Sequence, residues 1–202
     1  MRWKNKIWVF DDIIPVAQQE EIRDTLLGRG FPWLFVPDVT GGGVSEDERP
    51  AFSHNFIRAG EVNTAAEHLK LLEILVEPCL KKVNEETNTM GDYSIIQSRT
   101  FLQLPLSTVD GGEYDAHHVD LLQEHVVFLY YVCDADGDTV LFENMYSEET
   151  PETPTLDQLK EKTRVTPKQG RVVIFDGGYW HTATQPSKNV RCIINTDVVQ
   201  HA

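Results

Sequence analysis

The chain has 202 residues, 32 acidic against 18 basic, for a formal charge of −14. That excess excludes sequence-independent binding to nucleic acid and disfavours docking on an anionic membrane, since both draw affinity from clustered Lys and Arg. The length suits one domain with an ample core, and the longest apolar run, Val126 to Cys133, falls far short of the ~20 residues that span a bilayer.

Asp11 and Asp12 interrupt any signal-peptide core behind the basic N-terminus. In the first third, Ile13, Ile14, Ile22, Leu26 and Leu27 predict a short amphipathic helix stopped by Gly28 and Gly30. Asp38 to His54, with Gly41 to Gly43 in it, reads as an exposed loop. A long helix is predicted over about 65–86, opened by a Thr64-Ala-Ala-Glu67 capping box and carrying Leu69, Leu72, Leu75, Val76, Leu80 and Val83 on one face. Pro78 is expected to kink or divide it.

From Tyr93 onward short β-type runs dominate: Ser94–Leu106, Tyr114–Leu122, His125–Val132, Thr139–Glu143, Arg171–Asp176 and Val190–Val199. A single helical turn is expected near Leu156–Leu159, after an acidic loop. Helices followed by many strands suggest a mainly β, α+β architecture: a sandwich or squashed barrel backed by N-terminal helices. Cysteines at 79, 133 and 192 match no disulfide or zinc framework, which predicts core thiols in a reduced, soluble, cytoplasmic protein.

His118-Val119-Asp120 is the sole His-x-Asp. Seven histidines in a chain with 15 aspartates make about half a chance match, so the motif needs context. Period-2 alternation over residues 113–120 would put His118 and Asp120 on one face, where both can meet a single metal ion. His181 follows the apolar run Arg171-Val-Val-Ile-Phe-Asp176. Two histidines and a carboxylate form the facial triad of non-haem Fe(II) oxygenases. Arg191 stands ten residues further on, and its guanidinium suits the far carboxylate of a metal-chelating 2-oxo acid.

These blocks (Gly111 to Asp120, His125 to Val132, Gly137 to Phe142, and Gly170 to Asp176 with His181 and Arg191) resemble the 2-oxoglutarate/Fe(II)-dependent oxygenases, prolyl-4-hydroxylase-like branch, over about residues 93–199. The resemblance implies a double-stranded β-helix (jelly-roll) core at about 91–202 with helical support at about 1–90, in a single domain. It implies Fe(II) held by His118, Asp120 and His181, 2-oxoglutarate anchored by Arg191, and contacts from Tyr131, Asn195 and Thr139. The implied reaction consumes O2 and hydroxylates an unactivated carbon, releasing succinate and CO2. Its substrate would be a prolyl or other residue of a peptide or protein, or else a free amino acid or other small molecule. A non-catalytic jelly-roll module is the reading from a different class.

The remaining candidates read more plainly. His117 points to the opposite face in a surface or structural role, and His125 reads as a strand start, with support of a metal ligand from behind as the alternative. His54, His68 and His201 read as loop, helix-face and tail residues. Tyr179 and Trp180 are balanced between core and pocket wall. Residues 38–54 and 143–156 are candidate lids.

Overall fold

The computed structural model describes residues 3–39, 49–88, 90–106, 114–149 and 152–201. The N-terminal elements are β1 (Ile7–Phe10), α1 (Val16–Leu26), β2 (Leu34–Val36), β3 (Ala51–Arg58), β4 (Glu61–Val62) and α2 (Ala66–Thr87). Then come β5 (Asp92–Gln103), β6 (Val126–Tyr131), β7 (Thr139–Met145) and, after a 3-10 turn at Leu156–Gln158, β8 (Glu161–Val165). Strands β9 (Val172–Asp176), β10 (Tyr179–Ala183) and β11 (Arg191–His201) complete the order.

Among the described residues, eight strands form a large antiparallel sheet in the order β1-β9-β6-β11-β5-β3-β2, with β4 on β3, while β10-β7-β8 form a small second sheet. Every residue of β6 is buried, because both faces of the large sheet are covered. Val126, Phe128 and Tyr130 join the core built with α1 and α2, whereas Val127, Leu129 and Tyr131 pack with Leu141, Val165 and Tyr179 of the small sheet. Such double coverage makes the strand read as one apolar run instead of an alternation. Cys79 and Cys192 sit in the helix-side core and Cys133 packs against it.

Several expectations change. The N-terminal part is not helical support alone. It also supplies β1 to β4, and β1 and β3 pair directly with β9 and β5. The loop expected to run to His54 ends at Ala51, and His54 is a buried strand residue; Gly41–Gly43 and the Gly111-Gly112 pair lie outside the described residues. Helix α2 runs unbroken through Pro78. Its N-cap is Ala65 without a side-chain bond, because the Thr64 hydroxyl is engaged instead by His54 Nε2 at 2.7 Å. Helix α1 stops as expected, since a Cβ on Gly28 would lie 2.2 Å from the Asp24 carbonyl oxygen.

Residues 114–122 do not form the regular strand predicted. They run beside β10 through two isolated pairings, Tyr114 with Thr184 and His118 with His181. Between them the Asp115 carbonyl accepts from the Thr182 hydroxyl at 2.7 Å. A side chain thus replaces a ladder N–H, and regular pairing is lost.

Candidate metal centre

The irregular segment still delivers its histidine. His118 and His181 exchange backbone hydrogen bonds of 2.9 and 3.0 Å, which sets their rings 4.6 Å apart. His118 Nδ1 lies 2.9 Å from the Ala116 carbonyl oxygen and His181 Nδ1 3.0 Å from that of Tyr179. A carbonyl only accepts, so each Nδ1 carries the proton and each Nε2 presents a lone pair. Those two nitrogens and the Asp120 carboxylate lie within 4.8 Å of one another.

The two Asp120 oxygens are unlike. Oδ2 is 3.3 Å from His181 Nε2, buried, and without a hydrogen-bond partner among the described residues. Oδ1 is 3.8 Å from His118 Nε2 and accepts from Arg99 Nη2 at 2.6 Å. Burial works against the charged form, but His181 and His118 when protonated, together with Arg99, hold the Asp120 carboxyl well below the usual carboxylate range. An orphaned carboxylate oxygen facing two imidazole lone pairs is a donor set for a divalent cation of the Fe(II) type. His118 lies at the mouth, its side chain 48% exposed, whereas the Asp120 side chain is 0% exposed.

Behind Asp120 lie Asp197, which sequence reasoning did not assign, and His125, which it preferred as a strand start. Asp197 is pushed well above the usual range by burial and by the Asp120 charge, and it accepts from Gln97 Nε2 at 3.1 Å. His125 is more than a strand start. Its Nδ1 is bound by the Gln123 carbonyl at 2.8 Å, and its buried Nε2 faces Asp197 Oδ1 at 4.0 Å. Gly177 seats that ring, since a Cβ there would lie 2.1 Å from His125 Nε2.

The floor of the site is one face of the β5–β11 ladder. Its rungs are Arg191–Gln103, Ile193–Phe101, Asn195–Arg99 and Asp197–Gln97. Alternation aims all eight side chains the same way, so an apolar rung separates the metal end from the Arg191 end. Above it opens a cavity of about 430 Å³ lined by the triad, Arg99, Arg191 and Asn195, among others.

Arg191 is buried, and its three hydrogen bonds, all 2.9 Å, go to the Gly137 carbonyl, Gln103 Oε1 and Thr139 Oγ1. All three acceptors are neutral. Burial lowers its pKa, yet a guanidinium stays charged in proteins. Gln103 is oriented from behind, because its Nε2 donates to Asp115 Oδ2 at 2.8 Å and Asp115 Oδ1 accepts from Arg49 Nη1 at 2.7 Å. A buried cation held by neutral groups beside a cavity is a ready carboxylate site.

Thr139 and Asn195 both line the cavity, Thr139 through its bond to Arg191. Tyr131 stands two residues along β6 from Leu129, which lines the cavity, and its hydroxyl bonds to Thr139 beside Arg191. Tyr131 sits in the core between the sheets, where its hydroxyl donates to the Val165 carbonyl at 3.3 Å and burial pushes its pKa up to about 12. Tyr179 and Trp180 are core residues, and neither lines the cavity. His117 packs on Trp180 and Phe142, with Nε2 bound by the Pro154 carbonyl at 2.7 Å, a structural role as expected. His68 lies on α2 beside His54, and His201 ends β11 with its imidazole 2.6 Å from Ser94 Oγ.

No protein-family model and no curated protein matches the sequence. Solved structures do match the fold. An oxidoreductase of the 2OG-Fe(II) oxygenase family from Burkholderia pseudomallei superposes with TM-score 0.67 at 13% identity, over 96% of this chain and 85% of that one. The viral collagen prolyl hydroxylase of Paramecium bursaria Chlorella virus-1, in its 2OG complex, gives 0.59 at 14% identity over 98% of both chains. The α-ketoglutarate-dependent epimerase SnoN of nogalamycin biosynthesis gives 0.66 at 10% identity, over 98% of this chain and 80% of that one. The chain therefore has the jelly-roll fold of the 2-oxoglutarate/Fe(II) oxygenases, with its histidine–carboxylate cluster and its buried arginine opening into one cavity between the two sheets.

Proposed function

We propose that the chain works as one 2-oxoglutarate- and Fe(II)-dependent oxygenase domain that hydroxylates an unactivated carbon. One observation carries this reading: His118, Asp120 and His181 converge in the same cavity as Arg191, a buried cation whose hydrogen-bond partners are all neutral. Fe(II) bound there with a chelating 2-oxo acid supplies the oxygen chemistry, in which one atom of O2 enters the substrate hydroxyl and the other enters succinate as CO2 leaves. The chain's own residues do the rest. The two Nδ1 bonds keep the imidazoles aimed inward, and Arg191 takes the far carboxylate of 2-oxoglutarate, with Thr139 and Gln103 holding the guanidinium. Asn195 lies between these ends and contacts the bound co-substrate, while Leu129, Ile193 and Phe175 keep the enclosed side apolar and dry.

The substrate we infer is a prolyl or other residue of a peptide, with a free amino acid or small molecule as the competing class. Fold neighbours support both, since they include collagen prolyl hydroxylases and an epimerase of antibiotic biosynthesis. The net charge of −14 favours basic peptides.

Anaerobic addition of Fe(II) and 2-oxoglutarate should produce a metal-to-ligand charge-transfer band that His181→Ala lacks. Absence of the band from the unaltered protein would overturn the reading. Succinate release across a panel of peptides and amino acids then separates the substrate classes.

A further inference from the structure

We propose that Arg99 is a positioning residue that makes Asp120 a one-oxygen metal ligand and so keeps open a third coordination position, beyond the two that the chelating 2-oxo acid takes. The inference rests on the metal-site reading above and goes beyond it, because it assigns separate work to each carboxylate oxygen. Arg99 Nη2 lies 2.6 Å from Oδ1, whereas Oδ2 has no hydrogen-bond partner and is the oxygen 3.3 Å from His181 Nε2. Among the described residues Arg99 is the one donor within hydrogen-bond distance of Oδ1; His118 Nε2 is 3.8 Å away and carries a lone pair.

Arg99 is itself held in place. It lies on β5 opposite Asn195, and its guanidinium rests 5.2 Å from the centre of the Phe101 ring. Two residues along each strand stand Gln97 and Asp197, so nothing on that side supplies Oδ1 with a second cation. A carboxylate with one oxygen tied to a guanidinium donates the other to a metal. Without the guanidinium, Oδ1 is a buried acceptor with no donor, and the relief within reach is to turn onto the metal as a second ligand. Four protein donors then leave two of six positions, enough for the chelating 2-oxo acid but none for O2. The side chain is not merely filling space: it is 26% exposed and lines the cavity.

The test uses the full chain loaded with Mn(II), a redox-inert probe, with 2-oxoglutarate binding confirmed by calorimetry and the water left on the metal followed by water-proton relaxation. Arg99→Met is expected to lose, in the presence of 2-oxoglutarate, the one metal-bound water that the unaltered protein keeps, and with it most of the relaxation enhancement. It should also change the Mn(II) electron paramagnetic resonance spectrum, which reports coordination symmetry. Arg99→Lys keeps a donor to Oδ1 and should recover most of the loss; it is also the variant to read if Arg99→Met does not fold. An Arg99→Met protein whose 2-oxoglutarate complex keeps the full relaxation enhancement, with an unchanged spectrum, overturns the proposal. So does an Arg99→Lys protein as impaired as the methionine variant. If the unaltered protein binds Mn(II) but not 2-oxoglutarate, the functional reading fails instead, and the paramagnetic spectra of the variants still decide the role of Arg99.

Discussion

Replacing Gln103 by Glu changes one nitrogen to oxygen and leaves the shape of the side chain intact. Its amide now accepts from Arg191 Nη1 at 2.9 Å and donates to Asp115 Oδ2 at 2.8 Å. A carboxylate there gains Arg191 and meets Asp115 at nearly equal distance. At an effective dielectric of ~20, each contact is worth roughly 6 kcal/mol, with opposite signs. The two cancel to first order, so the fold should survive. Arg191, however, acquires a permanent internal counter-ion and loses its bond to an incoming carboxylate. A hydrogen bond to a charged group contributes about 1.5–3 kcal/mol, which is roughly 10- to 150-fold in affinity. The assay is 2-oxoglutarate binding to the Mn(II)-loaded protein at pH 8, with Mn(II) affinity measured separately. The 2-oxoglutarate Kd should rise by that factor while Mn(II) affinity holds. Binding of 2-oxoglutarate within twofold of the unaltered chain would refute the assignment of Arg191 as the carboxylate anchor.

Gly177→Ala drives a Cβ into the His125 ring; overpacking of this kind costs about 1–3 kcal/mol, read as a lower urea midpoint, and an unchanged midpoint would show that the ring is not seated there. Phe128→Ala opens a cavity between β6 and the helices, with an expected loss of about 3–5 kcal/mol by the same measurement. Burial lowers the pKa values of His54 and His125. A depressed histidine binds its proton more readily in the unfolded chain, so stability rises with pH across the window between the two values. The metal-free protein should therefore unfold at lower temperature as pH falls below about 6.5; a midpoint flat across that fall would contradict it.

The site was legible in the sequence where its chemistry is local or carried by spacing. His118-x-Asp120, the distant His181 and Arg191 stand out as residue types in order, and Val126 to Cys133 as the longest apolar run. Arg99, Gln103, Asp115 and Asp197 carried no such signal, because each acts through a neighbour on another strand. The rung Asn195–Arg99 exists only once β5 and β11 pair in register. Nor were the N-terminal strands visible. Strands β1, β2 and β4 are four, three and two residues long, and β3 begins beside a Gly- and Glu-rich stretch that reads as loop.

By itself, then, the sequence determined the donor types, their order along the chain and the apolar runs that must be buried, since these depend on side-chain chemistry and on periodicities of one segment. Tertiary structure alone decided which oxygen of Asp120 is available and which is tied to Arg99, and what orients Arg191. Those are matters of cross-strand register and of approach within 3 Å or so, and hydrogen bonds that short are set only when separate strands are packed against one another.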